Sequence, residues 1–205
     1  MLYVVGITGG IATGKSQATS ILKDLGYLVI DADTIVHNLM QPETKVYKEI
    51  VKTFTSSILN NDQTINRRAL AEIVFNDENE RDKLNAIIHP EVKRHMIQMI
   101  EGFYDERYEQ LVFVDVPLLY EAGFEDIVDK VIVVYTSYHN QVKRLVARDQ
   151  ISVSYAKLKI AAQMPLSEKC KRADYVLDND GPIYRFREKL LEIVDVIKKE
   201  IGNGL

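Results

Sequence analysis

A glycine-rich segment near the start of the chain, Gly9-Gly-Ile-Ala-Thr-Gly-Lys-Ser16, most strongly limits what this sequence can fold into. It matches the pattern G-x-x-x-x-G-K-[ST], in which backbone N–H groups surround phosphate oxygens. The short apolar run Leu2–Ile7 predicts a buried strand before the segment, and helical spacing from Lys15 to Leu25 predicts a helix after it. A strand, this loop and a helix in that order predict a site for a nucleoside triphosphate.

Each demanded residue of the loop has a chemical role. The glycines let the backbone curl around an anion, and the following helix presents its positive N-terminal end to the same anion. Lys15 is predicted to reach the β- and γ-phosphates as a catalytic group, and the Ser16 hydroxyl to ligate Mg²⁺. The predicted ATP-binding residues of the loop are Gly9, Gly10, Ile11, Ala12, Thr13, Gly14, Lys15, Ser16 and Gln17.

The remaining sequence alternates strands with helices. The apolar runs at 27–30, 111–116, 131–135 and 175–177 predict four more strands, and helical spacing covers 33–40, 138–149, 153–164 and 182 to about 200. Continuously apolar strands between helices are typical of a parallel sheet covered on both faces. The fold class predicted is α/β: a P-loop fold with a five-stranded parallel sheet flanked by helices.

We expect one kinase domain over residues 1–205, because the sequence has no repeat and no Ser/Gly linker. Its core is predicted at 1–42, 109–139 and 173–205. Residues 43–108 are helical in pattern, with breaks at 56–57, 60–62, 76–77 and 89–90, and exceed one crossover helix. They predict a helical insertion on the acceptor side, and residues 140–172 predict a helical lid.

Charge is distributed unevenly along the chain. The net charge is −4, yet residues 140–172 hold eight Lys or Arg against two acids. Such a run is either a solvated helical face or a basic cover over a polyanion. The net charge argues against a nucleic-acid partner. No apolar run reaches the roughly 18 residues that span a bilayer, and with a single cysteine we expect a cytoplasmic protein. We expect a monomer, with an oligomer as the alternative.

Small size and the absence of the guanine-reading N-K-x-D pattern favour a small-metabolite kinase over a GTPase. A kinase acting on a nucleoside, a nucleotide or a shikimate-like alcohol, and a slowly hydrolysing nucleotide switch, are alternatives on these residues alone. A series of motifs narrows the choice. They are Thr8-Gly-Gly-Ile11, Asp31-Ala-Asp33, Arg67-Arg-Ala-Leu70, His89-Pro90, Pro117-Leu-Leu-Tyr-Glu121, Gln141 with Arg144, Leu145 and Arg148, Gln163-Met-Pro165, Ala173-Asp-Tyr-Val176 and Asp178-Asn-Asp-Gly181.

In this order, over residues 3–181, the motifs resemble the dephospho-CoA kinase family of P-loop kinases. The resemblance implies transfer of a phosphate from ATP, with Mg²⁺, to the ribose 3′-hydroxyl of dephospho-CoA, the last step of coenzyme A synthesis. The sequence departs from the family at Ala12, where glycine is usual, and at Gln17, Asn66, Tyr120 and Lys159.

The resemblance also implies residue roles, each with a structural alternative. Asp33 is the candidate general base with Asp31 in support, although an aspartate before an apolar helix is also a favoured N-cap. Arg148 is a candidate catalytic residue of the lid, unless it only pairs with Asp149. Arg144, Asn179 and Gly181 are predicted to contact ATP, and Arg67, Arg68, His89 and Leu118 the acceptor. Asp115 and Glu121 either orient Mg²⁺-bound water or are ordinary strand-end carboxylates.

Overall fold

The computed structural model describes residues 2–103 and 110–203. Its elements in chain order are β1 (Leu2–Gly9), α1 (Lys15–Asp24), β2 (Leu28–Asp31), α2 (Ala32–Leu39), α3 (Lys45–Phe54), α4 (Arg67–Asn76), α5 (Glu78–Gly102), β3 (Gln110–Asp115), β4 (Lys130–Tyr135), α6 (Tyr138–Asp149), α7 (Val153–Ala161), α8 (Leu166–Arg172), β5 (Tyr175–Asp178) and α9 (Ile183–Asn203). Short 3₁₀ turns follow α3 and precede β4, at Ser56–Ile58 and Glu125–Ile127.

The chain divides into two compact units. One, the sheet unit, comprises Met1–Ile30 and Phe103–Leu205, and the other, the helical unit, comprises Asp31–Gly102. The division into core, insertion and lid expected from the sequence stays a prediction. The predicted insertion over 43–108 extends into residues 104–108, which lie outside the described residues.

The five-stranded parallel sheet predicted from the sequence is confirmed. The strand order is β2-β3-β1-β4-β5, so β1 is the central strand. It pairs in parallel with β3 and with β4, and Ile7 lies opposite Asp115 in this register. Because the carboxyl ends of parallel strands meet at one edge, the glycine-rich loop after β1 lies beside the end of β3.

Side chains on both faces of the sheet are buried: Val112 and Val114 of β3 lie on one face, and the opposite face packs against α1 and α9. Val5 and Ile7 of β1 have no solvent exposure, and the same holds for Phe113 of β3. One continuous apolar cluster joins them to α1 and α9, and it includes Leu22, Leu177, Phe186, Leu190 and Ile197. This burial explains why the strands are apolar throughout rather than alternating.

The helical unit packs α2, α3 and α4 against the long helix α5. The expected break at 89–90 is wrong, because α5 continues through Pro90. Proline costs a helix about 3 kcal/mol. The buried face of α5 repeats every four residues, at Ile88, Val92, Met96 and Ile100, and each buried side chain contributes about 1.5–3 kcal/mol. Packing therefore outweighs the local cost of the proline.

Two further differences from the sequence prediction concern residues 153–172. Helix α7 ends at Ala161 rather than 164, and α8 occupies the last part of the predicted helical lid, where helical apolar spacing did not mark a separate helix. Among the described residues, no helix is both long and apolar enough to cross a membrane.

Candidate active site

The loop from Gly9 to Ser16 curls tightly at the start of α1. Ala12 and Gly14 have left-handed backbone angles, with φ values of 61° and 98°. The buried Thr13 closes the turn, because its hydroxyl and its N–H both donate to the Gly10 carbonyl. Gly14 is the N-cap of α1, and no side chain caps that helix. Within the described residues, the N–H groups of Lys15 and Ser16 are therefore left for a bound anion, whereas that of Gln17 donates to the Gly14 carbonyl at 2.9 Å.

Gly14 is required by space as well as by backbone angle. A Cβ atom there would lie 2.0 Å from Asn179 Nδ2. The amide occupies that space because it donates to the Thr13 carbonyl at 2.8 Å. Asn179, in the connection between β5 and α9, thus binds the backbone of the phosphate loop at Thr13.

Lys15 forms an ion pair with Asp115 at the end of β3. Both side chains are largely buried, with 17% and 6% of their areas exposed. The sequence leaves two interpretations of Asp115 open: it orients Mg²⁺-bound water, or it is an ordinary strand-end carboxylate. The structure adds that Asp115 contacts the lysine of the phosphate loop. The Ser16 side chain is exposed, and within the described residues its hydroxyl makes no hydrogen bond.

A cavity of about 410 Å³ lies beside the phosphate loop within the sheet unit. The guanidinium of Arg144 forms its wall, donating to the Asn179 carbonyl at 2.7 Å and to the Thr13 carbonyl at 3.3 Å. The structure brings five of the predicted ATP-binding residues together here. The cavity is lined by Gly14, Gln17, Arg144, Asn179, Gly181 and Ile183.

Asp180 fixes the loop that borders this cavity. Its carboxylate accepts hydrogen bonds from the Thr136 hydroxyl, the Ser137 N–H and the Asn140 amide. These bonds, the Thr136 bond above all, lower the pKa of Asp180 to about 2. The negative charge of Asp180 is therefore part of what holds the loop between β5 and α9 against the start of α6.

Lys169 of α8 is the largest departure from the sequence interpretation. It was counted with the basic residues of the lid, yet its side chain has no solvent exposure. Its ammonium pairs with Glu121 at 2.9 Å and donates to the Pro117 carbonyl at 3.0 Å, with a longer contact of 3.4 Å to the Gly9 carbonyl. Burial lowers the pKa of Lys169, and so does the charge of Lys15. Glu121 opposes this by stabilising the ammonium.

Most other basic side chains of the 140–172 segment have acidic partners. Arg148 and Lys159 share Asp149, at 2.7 and 3.3 Å. Lys171 pairs with Glu168 on the same helix, and Arg172 with Glu125. The segment is therefore less positive at its surface than the sequence count indicates. The catalytic role of Arg148 stays a prediction.

In the helical unit, the cap of α2 is Asp31, whose carboxylate accepts from the N–H groups of Asp33 and Thr34 at 2.8 and 3.1 Å. The alternative that Asp33 is the cap is therefore wrong. Asp33 is exposed, and its carboxylate makes no hydrogen bond or ion pair within the described residues. A carboxylate without a structural partner fits a chemical role better than a capping role.

The other predicted acceptor residues have separate surroundings. Arg67 contacts His37 Nδ1 at 2.6 Å, whereas Arg68 pairs with Glu72 one turn along α4. His89 is half-buried in α5, and burial lowers its pKa. Leu118, in the sheet unit, is half-buried in the turn after β3.

Lys169 and Ile183 are among the residues at the site for which no role was predicted. Lys169 lies in a charged stretch whose spacing does not distinguish a buried lysine from its exposed neighbours. Ile183 lines the cavity although 52% of it is exposed. An apolar residue directly after Gly181-Pro182 was the available signal, since exposed apolar groups beside a cavity often contact ligands.

A parallel sheet with its phosphate loop on the central strand, and a lysine of that loop paired to the neighbouring strand, define the class of the fold: this is a P-loop protein that binds a nucleoside triphosphate. A family model described as "Dephospho-CoA kinase" matches residues 3–184. The chain belongs to the dephospho-CoA kinase family.

Individual relatives agree with this assignment. The chain is 43% identical over 197 residues to a dephospho-CoA kinase of Lactobacillus johnsonii, covering 96% of this chain and 99% of the relative. It is 40% identical over 191 residues to that of Halalkalibacterium halodurans, covering 93% and 94%. A solved structure of dephospho-CoA kinase from Campylobacter jejuni superposes with a TM-score of 0.72 at 30% identity, covering 98% of this chain and 99% of the other.

Proposed function

We propose that this chain transfers the γ-phosphate of ATP to the ribose 3′-hydroxyl of dephospho-CoA, giving CoA and ADP. The observation that carries the proposal is a phosphate loop that curls at the uncapped start of α1, in a chain that matches the dephospho-CoA kinase family from residue 3 to residue 184. The cytoplasmic location and monomeric state expected from composition belong to the same proposal.

The donor side follows from the phosphate loop. The uncapped start of α1 and the N–H groups of the loop bind the phosphates, while Arg144 and Asn179 form the wall of a cavity that suits the nucleobase. Lys15 is held by Asp115 before the nucleotide binds. Its charge then stabilises the negative charge that develops on the transferring phosphoryl group. Arg148 is proposed to add a second positive charge from the lid.

Mg²⁺ fits the residues present. The Ser16 hydroxyl is exposed and unpartnered within the described residues, and those residues include no group of three or more His, Cys, Asp or Glu that could form a separate metal cage. Mg²⁺ commonly keeps several waters and binds through few protein groups together with substrate phosphates. Ser16 would hold it here, and the bound ion would neutralise charge on the phosphate oxygens.

On the acceptor side, Asp33 is proposed to orient the 3′-hydroxyl and to accept its proton. Asp31 supports this by fixing the first turn of α2, where Asp33 is located. The positive charges of Arg67 and Arg68, with His89 and Leu118, are proposed to bind the rest of dephospho-CoA. These roles rest on the family resemblance and on the exposure of Asp33.

The direct test offers the purified protein ATP with dephospho-CoA, with nucleoside monophosphates, with shikimate or with no acceptor, and measures ADP and the phosphorylated product. Product from dephospho-CoA alone is expected. Product from another acceptor would instead indicate a different small-metabolite kinase, and ADP formation without any acceptor a nucleotide switch.

Asp33→Asn tests the acceptor role. Loss of general-base help lowers kcat by about 10²–10⁴-fold, while ATP affinity and Tm should be unchanged because Asp31 is the cap. Asp82→Asn, which changes an exposed carboxylate on α5 of the same unit, is the matched control. A near-normal kcat in Asp33→Asn would show that Asp33 is not the general base, and Asp31 would become the next candidate.

A further inference from the structure

Two glutamine side chains hold the same residue of the phosphate loop. Gln163, just after α7, accepts a hydrogen bond from the Ile11 N–H through Oε1 at 2.8 Å. Gln141, in the first turn of α6, donates through Nε2 to the Ile11 carbonyl at 2.9 Å. Both backbone groups of Ile11 are therefore bound by side chains from the two ends of the α6–α7 helix pair. We name this arrangement the Ile11 clamp.

The clamp is built into the site rather than lying at its surface. Only 3% of Gln141 is exposed, and a buried amide needs hydrogen-bond partners. Its Nε2 lies so close to the loop that a Cβ atom on Gly10 would approach it to 2.5 Å. A side chain at position 10 would therefore displace the Gln141 amide from the Ile11 carbonyl, independently of any requirement of a bound phosphate.

The clamp fixes the orientation of the peptide group that precedes Ala12. That peptide is planar and trans, so the Ala12 N–H points away from the carbonyl that Gln141 binds. Ala12 has a left-handed φ of 61°, which residues other than glycine disfavour. A loop with alanine at this position needs an external contact to hold its conformation, and Gln141 supplies one on the adjoining peptide.

The clamp also joins the phosphate loop to neighbouring elements. The N–H of Met164, next to Gln163, donates to Glu121 at 3.1 Å, and Glu121 pairs with Lys169. The residues that end α7 are thus bound both to the loop and to the segment after β3. A change in the loop when nucleotide binds would be transmitted directly to the α6–α7 pair.

We propose that Gln141 and Gln163 are positioning residues that hold the Ile11 peptide groups in the shape that binds the triphosphate, and that couple α6 and α7 to the bound nucleotide. The proposal rests on the proposed function in one respect, namely that this loop binds the nucleotide phosphates.

The two amides have opposite hydrogen-bonding roles, and this gives the test. A glutamate at 163 still accepts from the Ile11 N–H, whereas a glutamate at 141 cannot donate and places a negative oxygen against a carbonyl. Four variants are compared: Gln141→Met, Gln141→Glu, Gln163→Met and Gln163→Glu. Gln98→Met, on the exposed surface of α5, is the control.

The measurements are ADP affinity by calorimetry without acceptor, Tm, and the exchange rate of the Ile11 amide proton by NMR in nucleotide-free protein. Each Met variant should weaken ADP binding about 5- to 10-fold, the value of one hydrogen bond. Gln163→Met should speed Ile11 exchange, and Gln163→Glu should keep it slow. Gln141→Glu should bind ADP more weakly than Gln141→Met.

The double variant Gln141→Met/Gln163→Met should weaken binding less than the product of the single effects, because both bonds hold one residue. Met variants that bind ADP like wild type would overturn the proposal. An equal loss of ADP affinity in Gln141→Glu and Gln163→Glu would also overturn the proposal, because it would indicate an effect of charge alone. If the Met variants do not fold, this comparison of the two glutamate variants decides the test. If the wild-type protein binds ADP but does not phosphorylate dephospho-CoA, the proposed function is refuted, whereas the proposal for the Ile11 clamp is not.

Discussion

Replacing Lys169 with methionine is the most informative perturbation of the sheet unit. The substitution keeps an unbranched side chain that is one heavy atom shorter, and removes its charge. Glu121 then loses the ammonium at 2.9 Å, and the Pro117 carbonyl loses a donor at 3.0 Å. The carboxylate remains partly buried, with 21% of its side chain exposed.

The expected cost follows from these contacts. Removing one partner of a buried ion pair costs about 3–5 kcal/mol. Glu121 retains the Met164 N–H as a partner, and Pro117 retains the Thr8 hydroxyl at 3.0 Å. We therefore expect the lower limit, about 3 kcal/mol, which is about 6–12 °C in Tm for a chain of this length. The double variant Lys169→Met/Glu121→Gln removes the unpaired charge and should cost only about 1 kcal/mol.

The assay is thermal or urea unfolding of wild type, both variants and the control Lys171→Met. Lys171 lies on the same helix, but 71% of its side chain is exposed and its partner Glu168 is also exposed. Such a pair contributes about 0–1 kcal/mol. The reasoning is refuted if Lys169→Met is as stable as Lys171→Met, or if the double variant is less stable than Lys169→Met.

Three other predictions concern the loop and its surroundings. Lys15→Ala should lower kcat by about 10²–10³-fold and also lower Tm, because it removes the largely buried ion pair with Asp115. Adding Asp115→Asn should recover part of the loss in Tm but not kcat, and recovery of both would contradict this. Gly14→Ala should lower the free energy of unfolding by more than the roughly 1–2 kcal/mol of left-handed strain, because its Cβ overlaps with Asn179. Gly26→Ala, at a φ of 83° and with open space around its Cβ, should lower it by the strain alone. Equal free energies of unfolding for the two variants would refute the overlap. Because the pKa of Asp180 is lowered to about 2, its stabilising charge is present above the ordinary value of 3.8 and lost as pH falls toward 2; Asp180→Asn should therefore lower Tm at pH 7, with the difference from wild type shrinking below pH 4.

The strands were predictable because each is a short apolar run bounded by glycine, aspartate or proline, and a central parallel strand is buried on both faces. The phosphate loop was predictable because every residue of its pattern has a local role. Helix α8 was not, because Leu166-Ser-Glu-Lys-Cys-Lys-Arg172 has no helical apolar spacing. Its one fully buried side chain is Lys169, whose partners come from distant elements.

The side-chain pairings within the site could not be predicted from the sequence for the same reason, since the partners come from distant elements. Glu121 and Lys169 are 48 positions apart, and Ile11 and Gln163 are 152 apart. Such contacts depend on how packed elements align, which a single sequence does not record. Pro90 illustrates the opposite error: its local rule is correct, but the packing of α5 overrides it.

The strand order also determines when the sheet can form during synthesis. β1 occupies the centre, yet its partners β3 and β4 begin only at Gln110 and Lys130. At ribosomal speeds the apolar central strand therefore waits about 5–20 s for its first neighbour. The helical unit is one continuous stretch, Asp31–Gly102, and can complete its own core in that interval. We expect nascent chains that stop before β3 to hold a folded helical unit beside an unpaired strand, which makes them substrates for chaperones and prone to aggregate.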